Sequence, residues 1–356
     1  LGNIFQLFYS LADTRIVGSV LGEASLAAVG ATTAVSTLLI GFLQGLTNGF
    51  SIVAAQSFGS GKAERLRKAA AGTLLLGTLT TLILTVLALA GLNVFLELLN
   101  VPENLYGEAK EYIQIVLAGM LVTMLYNACA GILRAVGDTV APLLFLMCAA
   151  VLNVGLDLLF MAVLPFGVQG AAFGTVLAQL VSVILSLVYM WKKYPVFHLR
   201  REDFKIERSM VKQMYSSGFS MGMMMSLVFF GTLALQCAIN TFGNDIIVAH
   251  TAARKISEFY FLPISVMGVT MATFCGQNFG AGEYQRVRQG VKNALLITWS
   301  WAILVILMSY TAAPFLIQLV TGSGKEAVIE NAVLYLKINA PFYFVAAGIN
   351  IFRNTL

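Results

Sequence analysis

The chain reads as long apolar runs broken by short polar clusters. The apolar stretches cover approximately 1–20, 26–56, 70–95, 111–133, 139–163, 169–191, 211–241, 246–275, 292–320 and 331–356. Each reaches the roughly 20 residues that a helix needs to cross the hydrocarbon of a bilayer. None shows the alternation of apolar and polar positions that marks a membrane strand, and in lipid only helices and closed barrels satisfy their own backbone. The pattern predicts about ten spanning helices, beginning and ending inside apolar runs, with no leader pattern at the start.

Composition agrees. Of 356 residues, 58% are hydrophobic and 11% charged, against about 25% charged in soluble domains. Mean hydropathy is +0.83. The net charge of +5 belongs to alternate connections rather than to a nucleic-acid surface. Lys62, Arg65, Arg67 and Lys68, then Arg134, then the run from Lys192 to Lys212, then Arg286, Arg288 and Lys292, and finally Arg353 mark one side of the membrane. Glu23, the acidic stretch 97–111, Asp245 and the segment 325–330 mark the other. The basic set is cytoplasmic by the positive-inside rule. Cys129, Cys148, Cys237 and Cys275 lie in apolar runs with no CxxC pair, so buried packing is expected rather than a disulfide framework or zinc site.

The chain repeats itself. AAQSFGSGKAER (54–65) resembles CGQNFGAGEYQR (275–286), with Gln56, Phe58, Gly59, Gly61 and Arg65 recurring as Gln277, Phe279, Gly280, Gly282 and Arg286. The same shift of 221 pairs Gly22 with Gly243 and Ala28 with Ala249, and a shift of 223 pairs Tyr112 with Tyr335. Six spans separate the two copies, so they lie on the same membrane side. Two parallel six-helix lobes follow, an arrangement typical of secondary transporters. The expected layout is an N-terminal lobe over 1–191, a cytoplasmic linker over 192–210 that forms a short amphipathic helix, and an incomplete C-terminal lobe over 211–356. His198 in the linker is read as a surface residue and His250 as a buried neutral one.

Ionisable groups at membrane depth are costly and mark function. Three acids fall within spans: Asp13, Asp157 and Glu258. Asn153 and Asp157 are four residues apart and share a helix face. A carboxylate beside an amide oxygen can bind a hard cation or trade a proton. Thr175 follows Gly170 and Gly174, which permit close helix approach. Glu258 lies three residues from Lys255, the spacing of an internal ion pair or of a cavity-lining group. Met221, Met223, Met224 and Met225 with Phe229 and Phe230 form a soft surface suited to lipid or to a promiscuous pocket. Lys255, Glu258, Met223 and Met224 are the cavity-lining candidates. Pro263 and Pro341 interrupt two spans.

The segments LADTRIVGSVLGEASLAAVGA (11–31), AQSFGSGK, GQNFGAGE, LRAVGDTVAPL (133–143), VLNVGLDLLF (151–160) and FGVQGAAFGTVLAQ (166–179) together resemble the multidrug and toxic compound extrusion family. The resemblance implies an all-α polytopic membrane fold of two pseudo-symmetric six-helix lobes, of which this chain supplies about helices one to ten. It implies antiport of H⁺ or Na⁺ against organic, often cationic and amphiphilic compounds. It also implies a cation-coupling site at Asp13, Asn153, Asp157 and Thr175, the matches to the family's helix-one aspartate, Asn-x-x-x-Asp pair and helix-six threonine. Arg15 departs from the usual apolar residue, and a charge there would lower the pKa of Asp13. A C-terminal-lobe acid site is not expected, because 208–244 and 331–356 contain no Asp or Glu. A cell-membrane monomer is expected, with drug-like partners, the bilayer as its solvent, no nucleic acid, no enzymatic activity and no cofactor beyond the coupling ion. The alternative is a lipid-linked saccharide flippase of the same superfamily, for which Arg15, Arg254, Lys255 and Lys337 would meet pyrophosphate.

Overall fold

A chain that must cross hydrocarbon closes its backbone hydrogen bonds within each segment, and the computed structural model of this chain does so with helices. It describes residues 15–99, 101–164, 166–239, 241–242, 244–321 and 325–355, and among them there is no strand. Residues 15–20 are helical; most of the first expected span lies outside the described residues. There follow α1 (Glu23–Gly59), α2 (Ala63–Ala90), α3 (Leu92–Leu98), α4 (Glu103–Ala118), α5 (Met120–Ala135), α6 (Val140–Leu158), a π-helical turn (Leu159–Val163) and α7 (Val168–Lys193). After two 3₁₀ turns come α8 (Arg208–Ile239), α9 (Asn244–Gly280), α10 (Tyr284–Thr311), α11 (Ala313–Thr321), α12 (Glu326–Asn339) and α13 (Phe342–Thr355). Among the described residues, seven helices are individually long and apolar enough to span, and the bent pairs α4–α5 and α12–α13 bring that number to nine if each pair is one span.

The repeat holds element by element. The helices α1 and α9 are both 37 residues long and start and end 221 residues apart. The helices α2 and α10 are both 28 residues long at the same offset. The turns between them match in backbone conformation: Gly61 and Gly282 have φ of 70° and 78°, a left-handed region that glycine enters without a Cβ penalty. Further along, α4 and α5 meet at 41° across Gly119, and α12 and α13 meet at 50° beside Pro341. Pro263, in contrast, sits inside a continuous α9.

Packing divides the chain into two units at Phe229 and Phe230, so the boundary falls within α8 rather than in the linker. In the first unit α1 lies against α2, α4 and α5, and α7 lies against α4, α5 and α6. The opening half of α8 joins this unit: Met210 and Met214 enter its apolar core, and Tyr215 meets Phe50 edge-on with ring centroids 5.9 Å apart. Glycines make this contact close. A Cβ at Gly49 would lie 2.4 Å from Gly218 Cα, and one at Gly45 would lie 2.5 Å from the Met221 carbonyl oxygen. Both helices therefore carry a G-x-x-x-G face, 45–49 and 218–222, of the kind that lets membrane helices touch backbone to backbone. In the second unit α9 presents Ala249, Ala253, Ile256, Tyr260 and Ile264 to a core shared with α10, α12 and α13. Large apolar side chains such as Ile83, Val86, Leu87 and Leu307 stay exposed, as lipid-facing positions must. Cys148 and Cys237 are exposed too, while Cys129 and Cys275 are buried; a thiol suits lipid as well as a core.

The linker is not an amphipathic α-helix. Pro195 starts one 3₁₀ turn and residues 201–204 form another. Asp203 ties the segment to the first unit by accepting from Arg67 Nε at 3.2 Å and from the Arg200 amide at 2.8 Å. His198 stacks on Trp191, 4.1 Å between ring centroids.

Asp138, in the turn between α5 and α6, is the best-partnered carboxylate in this region. Its Oδ1 accepts from the Ala141 amide at 3.1 Å. Its Oδ2 accepts from Tyr189 and Tyr194, each at 2.8 Å, and from Lys193 at 3.0 Å. Burial alone would push this carboxyl up, but the four donors together outweigh it and hold the pKa at about 2. Unfolded, it would titrate at about 3.9. Its contribution is therefore complete above about pH 4 and is lost as pH falls toward 2. Asp138→Asn should cost the solubilised protein about 2 kcal/mol near neutral pH. In thermal unfolding the gap to the native protein should close between about pH 4 and 2. A gap that stays constant over that range would show that the charge of Asp138 contributes nothing.

Candidate functional site

The last turn of α6 and the facing turns of α7 assemble a polar pair inside the first unit. Asn153 and Asp157, one turn apart, are 1% and 0% exposed. Asn153 Nδ2 donates to Asp157 Oδ1 at 3.3 Å and to Thr175 Oγ1 on α7 at 3.3 Å. Asn153 Oδ1 is buried and has no hydrogen-bond partner among the described residues. One amide thus joins two oxygen-bearing side chains, one on its own helix and one on α7.

Local sequence explains how the helices come close enough. Gly167, with φ of 59°, turns the chain into α7. Gly170 and Gly174 then face α6. A Cβ at Gly170 would lie 3.0 Å from the Phe160 carbonyl oxygen, and one at Gly174 would lie 2.2 Å from Asp157 Oδ1. The carboxylate occupies the space that any side chain at 174 would fill. Directly after it, α6 widens into the π turn Leu159–Val163, a distortion that recurs at functional sites.

Asn153 and Thr175 form part of the wall of a cavity of about 440 Å³, which also draws on α1, α4 and α5. Its polar lining is uncharged and includes Ser36, Gln44, Thr123, Asn127 and Gln179. Thr123 Oγ1 donates to Gln179 Oε1 at 2.6 Å, and Asn127 Nδ2 donates to the Thr123 carbonyl at 2.9 Å. Such a lining can solvate a polar or cationic group without setting a fixed charge against it. Only its Asn153 and Thr175 were anticipated from the sequence. The available signal was Thr123 and Asn127 at i and i+4, with Gln179 one turn beyond Thr175, inside otherwise apolar runs.

Asp13 falls outside the described residues. Met223 and Met224 are on α8 and do not line this cavity. Lys255 and Glu258 are on α9 in the second unit, where Glu258 pairs with Lys255 at 3.4 Å and with Arg254 at 3.6 Å. His250 is buried, edge-on to Tyr335 with 5.3 Å between centroids. The described residues contain no cluster of His, Cys, Asp and Glu able to hold a metal ion.

The chain resembles known proteins along almost its whole length. The family model described as MatE matches residues 1–159 and 220–356. Over 355 residues the chain is 27% identical to the probable multidrug resistance protein YpnP of Bacillus subtilis (strain 168), covering 99% of this chain and 78% of that protein. It is 26% identical over 349 residues to an FAD transporter of Shewanella oneidensis, covering 95% and 75% respectively. A solved MOP superfamily transporter from Pyrococcus furiosus Vc1 (DSM3638), described as having a binding pocket of reverse polarity, matches with a TM-score of 0.87 at 24% identity, over 99% of this chain and 80% of that one. That likeness speaks to the fold.

Proposed function

This chain belongs to the MatE family, the multidrug and toxic compound extrusion transporters, and we propose from that membership that it exports drug-like organic compounds as a monomer, in exchange for H⁺ or Na⁺. The observation that carries the coupling is buried Asp157, joined through Asn153 to Thr175 at the wall of an uncharged polar cavity. A carboxylate at membrane depth is disfavoured unless it is neutralised or paired. A proton neutralises it directly. Na⁺ would find hard oxygen donors in Asp157, Asn153 Oδ1 and the Thr175 hydroxyl. Asp13 is the expected second acid of the site. Ion binding drives transport only by favouring one access state over the other. The names of relatives such as the Bacillus protein support drug-like substrates.

Reconstitution of the whole protein in proteoliposomes tests this. A pH step or a Na⁺ step, each imposed without the other, should drive a cationic dye against its own gradient. Dye movement under neither ion would sink the reading. Translocation of a lipid-linked saccharide, with no ion-driven dye export, would favour the flippase.

A further inference from the structure

The second unit places a charged group deep on α9. Asp245 pairs with Lys325 at 3.3 Å, both exposed, and marks the outer end of the helix. Lys255 is ten residues further in, about 15 Å along the axis of this 37-residue helix. The preceding stretch 213–244 carries no charge at all.

At that depth Glu258 holds two cations, Arg254 at 3.6 Å and Lys255 at 3.4 Å. One carboxylate between two bases leaves the group with a net positive charge. The side chains of Lys255 and Glu258 are 61% and 50% exposed. Exposed charge at membrane depth faces water rather than lipid. A third base, Lys337 on α12, lies over the Tyr310 ring at 5.8 Å and is accounted for by that contact. A step of four residues from Lys255 reaches Phe259 and a further seven, two helical turns, reach Val266 on the same face, both exposed and apolar.

We propose that Arg254, Lys255 and Glu258 bind the anionic group, a carboxylate or phosphate, of a transported amphiphile whose apolar body lies along Phe259 and Val266. Glu258 keeps the two cations in place and is displaced from one of them when the ligand's anion arrives. This deepens the exporter reading and rests on it for the transport step. It extends the substrate class to anionic and zwitterionic amphiphiles. The anion can come from a soluble compound or from a lipid headgroup, and the arms of the test separate the two.

The test uses the whole protein in phosphatidylcholine nanodiscs and a matched probe pair, a dansyl-labelled undecanoate and the corresponding dansyl-labelled undecyl ammonium. Lys255→Gln should weaken undecanoate binding roughly tenfold or more, the usual scale for a charge-assisted contact, and leave the ammonium probe unchanged. Glu258→Gln should strengthen undecanoate binding. Because the Lys255 side chain is exposed, its variant keeps the fold, and Arg254→Gln serves as a second reading of the same charge. If phosphatidylglycerol in the discs competes with undecanoate in the native protein but not in Lys255→Gln, the anion is a headgroup. If it does not compete, the anion is a soluble compound. Equal binding of both probes in native protein and variants would overturn the proposal, even if ion-driven export of the ammonium probe persisted. A charge preference without export of either probe would instead leave the anion site standing and overturn the exporter reading.

Discussion

Asp157→Asn should abolish ion-driven export while leaving insertion and drug binding intact. The amide keeps the shape of the carboxylate and can still meet Asn153 and Thr175, so the α6–α7 contact survives. It cannot take up a proton at accessible pH, and it offers a bound cation no charge. Coupling free energies of about 3 kcal/mol correspond to roughly 100-fold effects. Gradient-driven dye flux in proteoliposomes should fall by about that factor, with equilibrium dye binding close to the native value. Native-like flux in the variant across a series of pH and Na⁺ conditions would remove Asp157 from the coupling machinery.

Gly49→Val should prevent accumulation of folded protein. The first Cβ alone falls 2.4 Å from Gly218 Cα and 2.5 Å from the Gly218 amide nitrogen, and backbone atoms cannot rotate aside as a side-chain tip can. The α1–α8 crossing would have to open along its length, with loss of the Phe42–Phe219 and Phe50–Tyr215 edge contacts. Overpacking typically costs about 1–3 kcal/mol where side chains can yield, and here the obstacle is main chain. Gly218→Val should behave alike, since its Cβ would lie 2.9 Å from the Leu46 carbonyl oxygen. Gly107→Ala is the control, because nothing lies within 4 Å of a Cβ there; it should be neutral or stabilising by up to about 1 kcal/mol. Fluorescence-detected size exclusion of the three variants reads the result. A monodisperse Gly49→Val protein of native stability would mean that the two helices do not meet as described.

The fold was legible because hydrocarbon imposes a length on every apolar run, and because the repeat is written in residues that the backbone needs. Gly61 and Gly282 are conspicuous in sequence for the same reason that they are left-handed in the structure. The Asn153–Asp157 pair was legible because helical spacing alone puts both on one face, and the step to Thr175 came from the family resemblance. Other features had no such signature. Nothing at Gly119 announces a bend, whereas Pro341 does. The cavity is built from isolated polar residues on five helices, and only tertiary packing brings them to one wall. The G-x-x-x-G faces of α1 and α8 were readable as motifs, but sequence cannot say which glycine face finds which partner. The linker carried enough charge to suggest an amphipathic helix, yet Pro195 and the Asp203 anchor hold it in short turns instead.

The paired bends at Gly119 and Pro341 are alike in angle, 41° and 50°, but not in origin. Pro341 has no N–H, so the Lys337 carbonyl is without its helical donor whatever the conformation; Tyr310 donates to it instead, at 3.5 Å. That break is covalent and cannot heal. Gly119 keeps its own amide bond to the Ile115 carbonyl at 2.8 Å, and its carbonyl accepts from Val122 and Thr123. The bend at Gly119 is therefore set by packing rather than by a missing donor: a Cβ there would lie 2.4 Å from Val176 Cγ2 on α7. One elbow is thus written into covalent chemistry and the other into a tertiary contact. Val116 and Thr123, on either side of Gly119, both line the cavity beside Asn153. The bore of that cavity therefore depends on how closely α7 seats against the missing side chain of residue 119.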